Sequence, residues 1–179
     1  MNATEYLTTH WARKKTWKNL ALKHHQRRFV NIAAYLKGET FADVGCAFGH
    51  STHYLKERTG GEWTGIEFDE AATIKARGLF PDIDFKYVPD TGKLCELPKF
   101  DGVVCSEVIE HVEHDQRLID SLVAITGKTL VITTPNIEVN DPGHLRVYDE
   151  AILRALFERY GEIEINKVHK FFYVIFRAK

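Results

Sequence analysis

Glu107-Val108-Ile109-Glu110-His111 sets two carboxylates and an imidazole close together in the chain. If these residues open a helix, the i, i+3, i+4 spacing turns Glu107, Glu110 and His111 to one face, while Val108 and Ile109 face inward. Such a trio offers mixed hard and borderline donors, which suits Mg, Mn, Fe or Co better than a closed thiolate zinc site. A plainer reading stands beside it. Acids in a first helical turn are favoured by the positive end of the helix dipole, by about 0.3–1 kcal/mol each, and His111 then packs at a pocket wall. A second segment, Asp43-Val44-Gly45-Cys46-Ala47-Phe48-Gly49, leads from an apolar run into a helical pattern. Gly45 and Gly49 let the backbone come close to a ligand, and the helix that follows presents free N–H groups. Further on, Glu67 closes a second apolar run, where an acid can accept hydrogen bonds from ribose hydroxyls. Ala47 stands where the dinucleotide fingerprint G-x-G-x-x-G has its second glycine, so that fingerprint is not matched.

The elements that must position these residues alternate between strand and helix. Strands are expected over 40–44, 62–68, 83–88, 100–105 and 129–133. Helices are expected after Gly49, over 70–77, from about Glu107 to Ile125 with a break near His114, and over 149–160. The end is different: residues 162–168 and 171–177 are separated only by His169 and Lys170 and read as an antiparallel hairpin. The expected fold is α/β, a doubly wound, Rossmann-like, seven-stranded, mostly parallel sheet with an antiparallel last strand in a three-layer αβα arrangement. In an open sheet of this kind ligands bind outside the carboxyl ends of the strands, where both motifs fall.

The 179 residues are 44% hydrophobic and 27% charged, the composition of one globular domain and not of a disordered or fibrous chain. Residues 1–38 carry eight Lys or Arg against one acid, a balance of +7. The rest carries 16 basic and 24 acidic side chains, a balance of −8. Residues 1–38 are read as a basic N-terminal helical arm or lid and 39–179 as the core; the arm is either a surface for an anionic partner or a solvated helix face. The 3 cysteines suit reduced thiols. No apolar run approaches the roughly 20 residues of a membrane span, and a cytoplasmic location is expected.

From about Thr40 to the end the chain resembles the class I S-adenosylmethionine-dependent methyltransferases. FADVGCAFG is similar to their first motif, GIEFDE to the second, YVPDTGKL to the third-strand loop, FDGVVCSEVIEHV to the fourth, and TLVITTPN to the fifth strand and its loop. The resemblance implies an enzyme with S-adenosyl-L-methionine as cofactor. Asp43, Gly45, Cys46, Ala47 and Gly49 would cradle its methionine part, Glu67 bind the ribose, Phe68 pack on the adenine and Asp90 lie near the adenine amino group. Cys105 and Ser106 would line the methionine end. Ala47 replaces the commoner glycine.

The E-V-x-E-H stretch is similar to two metal-dependent O-methyltransferase groups, one of the ubiquinone pathway and one acting on the 3′-terminal ribose of small RNAs. In the RNA group a histidine after strand five completes the site, and His144 in Pro-Gly-His-Leu-Arg is its counterpart. HLRVYDEAIL after it is closer to the small-molecule branch. The expected metal set is thus Glu107, Glu110, His111 and His144, with Mg or Mn, and His111 or His144, where not a ligand, is the general base. The expected reaction is O-methylation of a small-molecule hydroxyl. The alternatives are RNA ribose 2′-O-methylation, N- or C-methylation, and a cofactor-binding domain without catalysis. His24-His25, His50 with His53, Trp11 with Trp17, and Phe171-Phe172-Tyr173 are read as surface or packing residues before any ligand role.

Overall fold

The computed structural model describes residues 23–138 and 140–179, with the side chains of residues 23–25 excepted. Most of the basic arm, with Trp11, Trp17, Arg13, Lys14, Lys15 and Lys18, and the His24-His25 side chains lie outside the described part. The chain runs α1 (Lys23–Tyr35), β1 (Thr40–Val44), α2 (His50–Thr59), β2 (Glu62–Glu67), α3 (Glu70–Leu79), β3 (Asp84–Tyr87), β4 (Phe100–Ser106), α4 (Asp115–Ala124), β5 (Thr126–Pro135), α5 (Glu150–Phe157), β6 (Ile163–Val168) and β7 (Phe171–Arg177). Two short 3-10 turns, Thr91–Glu96 and Ile109–His111, flank β4.

The seven strands form one sheet in the order β3-β2-β1-β4-β5-β7-β6. β1, β2, β3, β4 and β5 pair in parallel, and β7 runs antiparallel to both β5 and β6. Alternation along the strands feeds two cores. Phe41, Val104, Val131 and Tyr173 pack with Phe29 and Ile32 of α1, Leu36 just after it, Leu55 of α2 and Ala76 of α3. Ala42, Val103, Ile132 and Val174 pack with Leu118 and Leu122 of α4 and Leu153 and Phe157 of α5 on the other face. The described part of the basic arm therefore joins the first core through its apolar stripe.

β1 leads outward through β2 to β3, and the chain then returns to place β4 on the other side of β1. This reversal is the point at which a doubly wound sheet opens a crevice above the carboxyl ends of its strands. The hairpin brings Phe171 opposite Pro135 and Tyr173 opposite Thr133, so the start of β7 borders the same crevice.

Candidate active site

On the β1 side, parallel pairing sets Asp43 beside Gly65 and Val44 beside both Ile66 and Cys105. The turn after β1 folds back on β2, with Gly45 N–H (2.8 Å) and Cys46 N–H (3.2 Å) both donating to the Ile66 carbonyl. Three residues of that turn take left-handed backbone, Gly45 (φ 77°), Ala47 (φ 48°) and Gly49 (φ 78°). The Asp43 carboxylate accepts from Ser51 Oγ and Thr52 Oγ1, each at 2.8 Å, and so ties β1 to the first turn of α2. Burial pushes its pKa up against those two bonds.

Glu67 is 2% exposed. Its carboxylate accepts N–H bonds from Ala47 (2.6 Å), Phe68 (2.7 Å) and Asp69 (3.1 Å). Burial outweighs these bonds and pushes its pKa up to about 7. Phe68 is half-buried beside it, Cys105 is fully buried, and Ser106 Oγ bonds Thr133 Oγ1 at 2.8 Å. The residues assigned to the methionine and ribose parts of the cofactor thus stand on the adjacent ends of β1, β2 and β4. Asp90 is held differently: it caps the first 3-10 turn through Gly92 N–H (2.8 Å) and pairs with Arg117 (3.1 Å).

On the β4 side the structure departs from the expected helix. Glu107 has φ 59°, Ile109–His111 is a single 3-10 turn, and α4 begins only at Asp115. The reason lies in the loop after β5, which takes carbonyls that a continuous helix would use. Tyr148 Oη donates to the Ile109 carbonyl (3.0 Å), Leu145 N–H to Glu110 (2.8 Å) and Arg146 to Glu113 (2.8 Å). The shared helical face of Glu107, Glu110 and His111 is therefore not formed. Glu107 turns to Arg28 of α1, at 3.4 Å.

Glu110, His111 and His144 do converge, with one ligand-type atom from each lying within 4.8 Å of the others. The rings of His111 and His144 meet edge to face at 4.6 Å. Asp141-Pro142-Gly143-His144 presents His144 on a tight turn closed by His144 N–H to the Asp141 carbonyl (3.0 Å) and Gly143 N–H to Asp141 Oδ1 (3.0 Å). Proline and glycine after an aspartate that bonds ahead are the residues such a turn favours. His111 Nδ1 bonds the Gly143 carbonyl at 2.9 Å. A carbonyl only accepts, so Nδ1 carries the proton and the neutral ring keeps its lone pair on Nε2.

Glu110 is 1% exposed and accepts from Thr134 Oγ1 at 3.2 Å through Oε2. Its Oε1, and Oε1 of Glu107, are buried without a hydrogen-bond partner among the described residues. Burial, then the neighbouring Glu107 charge, pushes Glu110 well above the ordinary carboxylate range. Burial pushes Glu107 up to about 7, against the pull of Arg28 and Thr133. A divalent cation fits this donor set: it would occupy the orphaned oxygen and reverse the electrostatic cost of burying the acid. The imidazole oriented by a backbone carbonyl is the supporting bond usual for a metal-ligating histidine.

Several contributors went unnoticed in the sequence: Arg28, Thr133, Thr134 and Tyr148. Arg28 carried a signal, because it lies four and eight residues before Ile32 and Leu36 on the apolar stripe of α1. The other singled-out residues that the structure describes are packing residues. His50 and His53 both lie against Phe80, with ring centroids at 5.2 and 4.6 Å, and Phe172 and Tyr173 are buried strand residues.

Residues 42–127 match the family model of a methyltransferase domain. No curated protein matches the chain by sequence. Among solved structures, the chain is similar to magnesium protoporphyrin IX methyltransferase from Synechocystis PCC 6803 with bound SAH, at 15% identity and TM-score 0.75 over 98% of each chain. It is similar also to a SAM-dependent methyltransferase from Archaeoglobus fulgidus, at 18% identity and TM-score 0.74 over 95% of this chain and 100% of that one. The PH0226 protein from Pyrococcus horikoshii OT3 aligns at 17% identity and TM-score 0.76 over 96% and 99%. At such identities the structures speak for the fold, and the family match speaks for the domain that contains the β1 turn, Glu67 and Glu110. Residues 42–127 thus carry a methyltransferase domain, and the fold built around them is that of S-adenosylmethionine-dependent methyltransferases.

Proposed function

We propose that the protein methylates a hydroxyl of a small molecule with the help of a divalent cation. The observation that carries this reading is the meeting of Glu110, His111 and His144 beside a buried carboxylate oxygen that has no partner among the described residues. S-adenosylmethionine supplies a methyl group already activated on a sulfonium. The protein must then hold an acceptor oxygen in line with that methyl and make it nucleophilic.

Glu110 and His111 would hold the cation, with Mg or Mn the expected ions, and His144 would complete the set or take the acceptor's proton. A cation in this place lowers the pKa of a hydroxyl and fixes its direction. Charge also favours an oxygen acceptor. Arg28 balances Glu107 in the observed pair, so a divalent ion against one remaining carboxylate leaves a single positive charge, which an oxyanion neutralises and a protonated amine does not. The loop around His144 exposes Ile137, Leu145 and Val147, at 40%, 55% and 46%, an apolar rim that suits a ring carrying adjacent hydroxyls better than an RNA backbone.

Incubation with labelled cofactor and a panel of catechols and short RNA oligonucleotides, with Mn2+ or with EDTA, tests the reading. Turnover on a catechol that EDTA and Glu110→Ala abolish supports it, and turnover unaffected by either removes the cation. Loss of Mn2+ binding in His144→Ala marks a ligand, whereas retained binding with lost turnover marks the base. Cofactor binding without turnover on any acceptor would favour a domain that acts through partners.

A further inference from the structure

Arg28 is the described cation that α1 carries into this cleft, and it is 9% exposed. Its guanidinium packs over the rings of Phe29 at 5.0 Å and Phe171 at 4.9 Å, so helix α1 and strand β7 hold it from two sides. NH1 lies 3.4 Å from Glu107 Oε2. Glu107 meets it by adopting φ 59°, with its N–H donating to the Thr133 carbonyl at 2.9 Å. A left-handed backbone at a residue other than glycine costs about 1–2 kcal/mol and persists only where the surroundings over-determine it. The chain therefore spends strain to aim this carboxylate at Arg28. Without the pair, a buried carboxylate three residues from Glu110, with Oε1 unpartnered, would be the natural fourth ligand of a cation.

We propose that Arg28 is a positioning residue: by pairing with Glu107 it keeps that carboxylate out of the Glu110–His111–His144 cluster, so that the cation is held by three side chains and its open positions are left for the acceptor's two oxygens. This rests on the metal-assisted reading above. An octahedral ion such as Mg2+ or Mn2+ held by three side chains keeps three positions, two for the acceptor's oxygens and one for water, whereas a fourth carboxylate binding through one oxygen leaves no position for that water and one binding through both oxygens blocks the acceptor. Arg28 in this role makes the N-terminal segment part of the acceptor site.

The test is a double-mutant cycle on the full chain with Mn2+ as the probe, read by calorimetry and by the water-proton relaxation of the bound ion. Arg28→Met keeps the apolar stem between the two rings, and Arg28→Gln serves the same cycle if methionine unsettles α1. In either variant Mn2+ binding tightens, and relaxation enhancement falls because a carboxylate has displaced a coordinated water. Glu107→Gln changes Mn2+ affinity less than about threefold beside Arg28 and about tenfold once Arg28 is gone, within the range that outer groups exert on metal sites. The acceptor's KM rises in Arg28→Met and recovers in Arg28→Met/Glu107→Gln. Equal effects of Glu107→Gln in both backgrounds overturn the role of Arg28 and leave the metal site standing. If the wild-type protein binds no Mn2+ that Glu110→Gln weakens, both readings fall together.

Discussion

Glu67 and Glu110 are glutamates buried almost equally, at 2% and 1% exposure, and their surroundings treat them in opposite ways. Glu67 receives three backbone N–H bonds from the segments around it. Glu110 receives one hydroxyl on Oε2, faces the charge of Glu107, and leaves Oε1 unpartnered among the described residues. A buried polar group without a partner costs about 1–3 kcal/mol, and more when charged. The Glu67 carboxylate is thus fully served as the chain folds, whereas the Glu110 carboxylate keeps a deficit that the proposed cation would remove. Catalytic groups are where such deficits are tolerated, because the strain is released when the site is filled.

The largest expected effect separates function from stability at the deficient acid. Glu110→Gln should lower turnover on an accepted hydroxyl by more than about a hundredfold, as the loss of a key electrostatic group does. Cofactor affinity, measured by calorimetry, should stay within about twofold. The unfolding free energy at pH 8 should nevertheless rise, by about 1–2 kcal/mol, because no charge is then buried. That gain should vanish at pH 5. A variant both inactive and less stable at pH 8 would show that Glu110 is structurally satisfied after all.

The next effect tests whether Glu67 is as well served as its hydrogen bonds suggest. Its pKa in the folded protein is raised to about 7 from an ordinary 4.5. The protonated form is thus favoured by folding, and the stability it contributes is fully present below pH 4.5 and lost as pH rises through 7. By linkage the loss is up to about 3 kcal/mol for this one group. Denaturant unfolding of the ligand-free protein between pH 5 and 8 should show that decline, and Glu67→Gln should flatten it. The amide sets its own N–H toward Ala47 N–H, so the slope and not the absolute stability is the reading. Ribose hydroxyls favour the carboxylate, so cofactor binding near pH 7 should release protons, detectable as a buffer-dependent binding enthalpy.

The two regions meet closely at Gly45. A Cβ on Gly45 would lie 2.4 Å from Val108 Cγ2, the residue next to Glu107, and the position has φ 77°. Gly45→Ala should therefore cost about 2–3 kcal/mol of stability through overpacking and left-handed strain together. It should weaken cofactor binding and turnover in the same variant. A change confined to one of the two would mean that the cradle and the acceptor segment move independently.

This contact also marks what the sequence could reveal. The β1 turn, Glu67 and the hairpin were legible because each is local: strand periodicity, glycine spacing and an acid at a strand end all sit within a few residues. His144 was legible only through family resemblance. Of the helix expected from Glu107 to Ile125, the part after the break near His114 is formed, but the first part is not, because Tyr148, Leu145 and Arg146 take its carbonyls from more than thirty positions away, and no local pattern reports such a competitor. Arg28 was hidden differently. Its charge placed it in the +7 tally of an arm, although its spacing from Ile32 and Leu36 already put it on the buried stripe.

The smallest effect concerns the cofactor side alone. Ala47 holds φ 48°, and its N–H makes the 2.6 Å bond to Glu67, the shortest of the three that carboxylate accepts. Its left-handed backbone costs about 1–2 kcal/mol for a residue with a Cβ. Glycine removes that cost but adds freedom to the unfolded chain, worth about 0.4–1 kcal/mol in the other direction. Ala47→Gly should then stabilise the protein by about 0.5–1 kcal/mol, roughly 1–4 °C in Tm for a domain of this size, with Mn2+ binding unchanged. If the alanine methyl instead restrains the turn that carries the N–H to Glu67, the same variant loses stability and cofactor affinity together, and the completeness of this side depends on a side chain where the family more often has none.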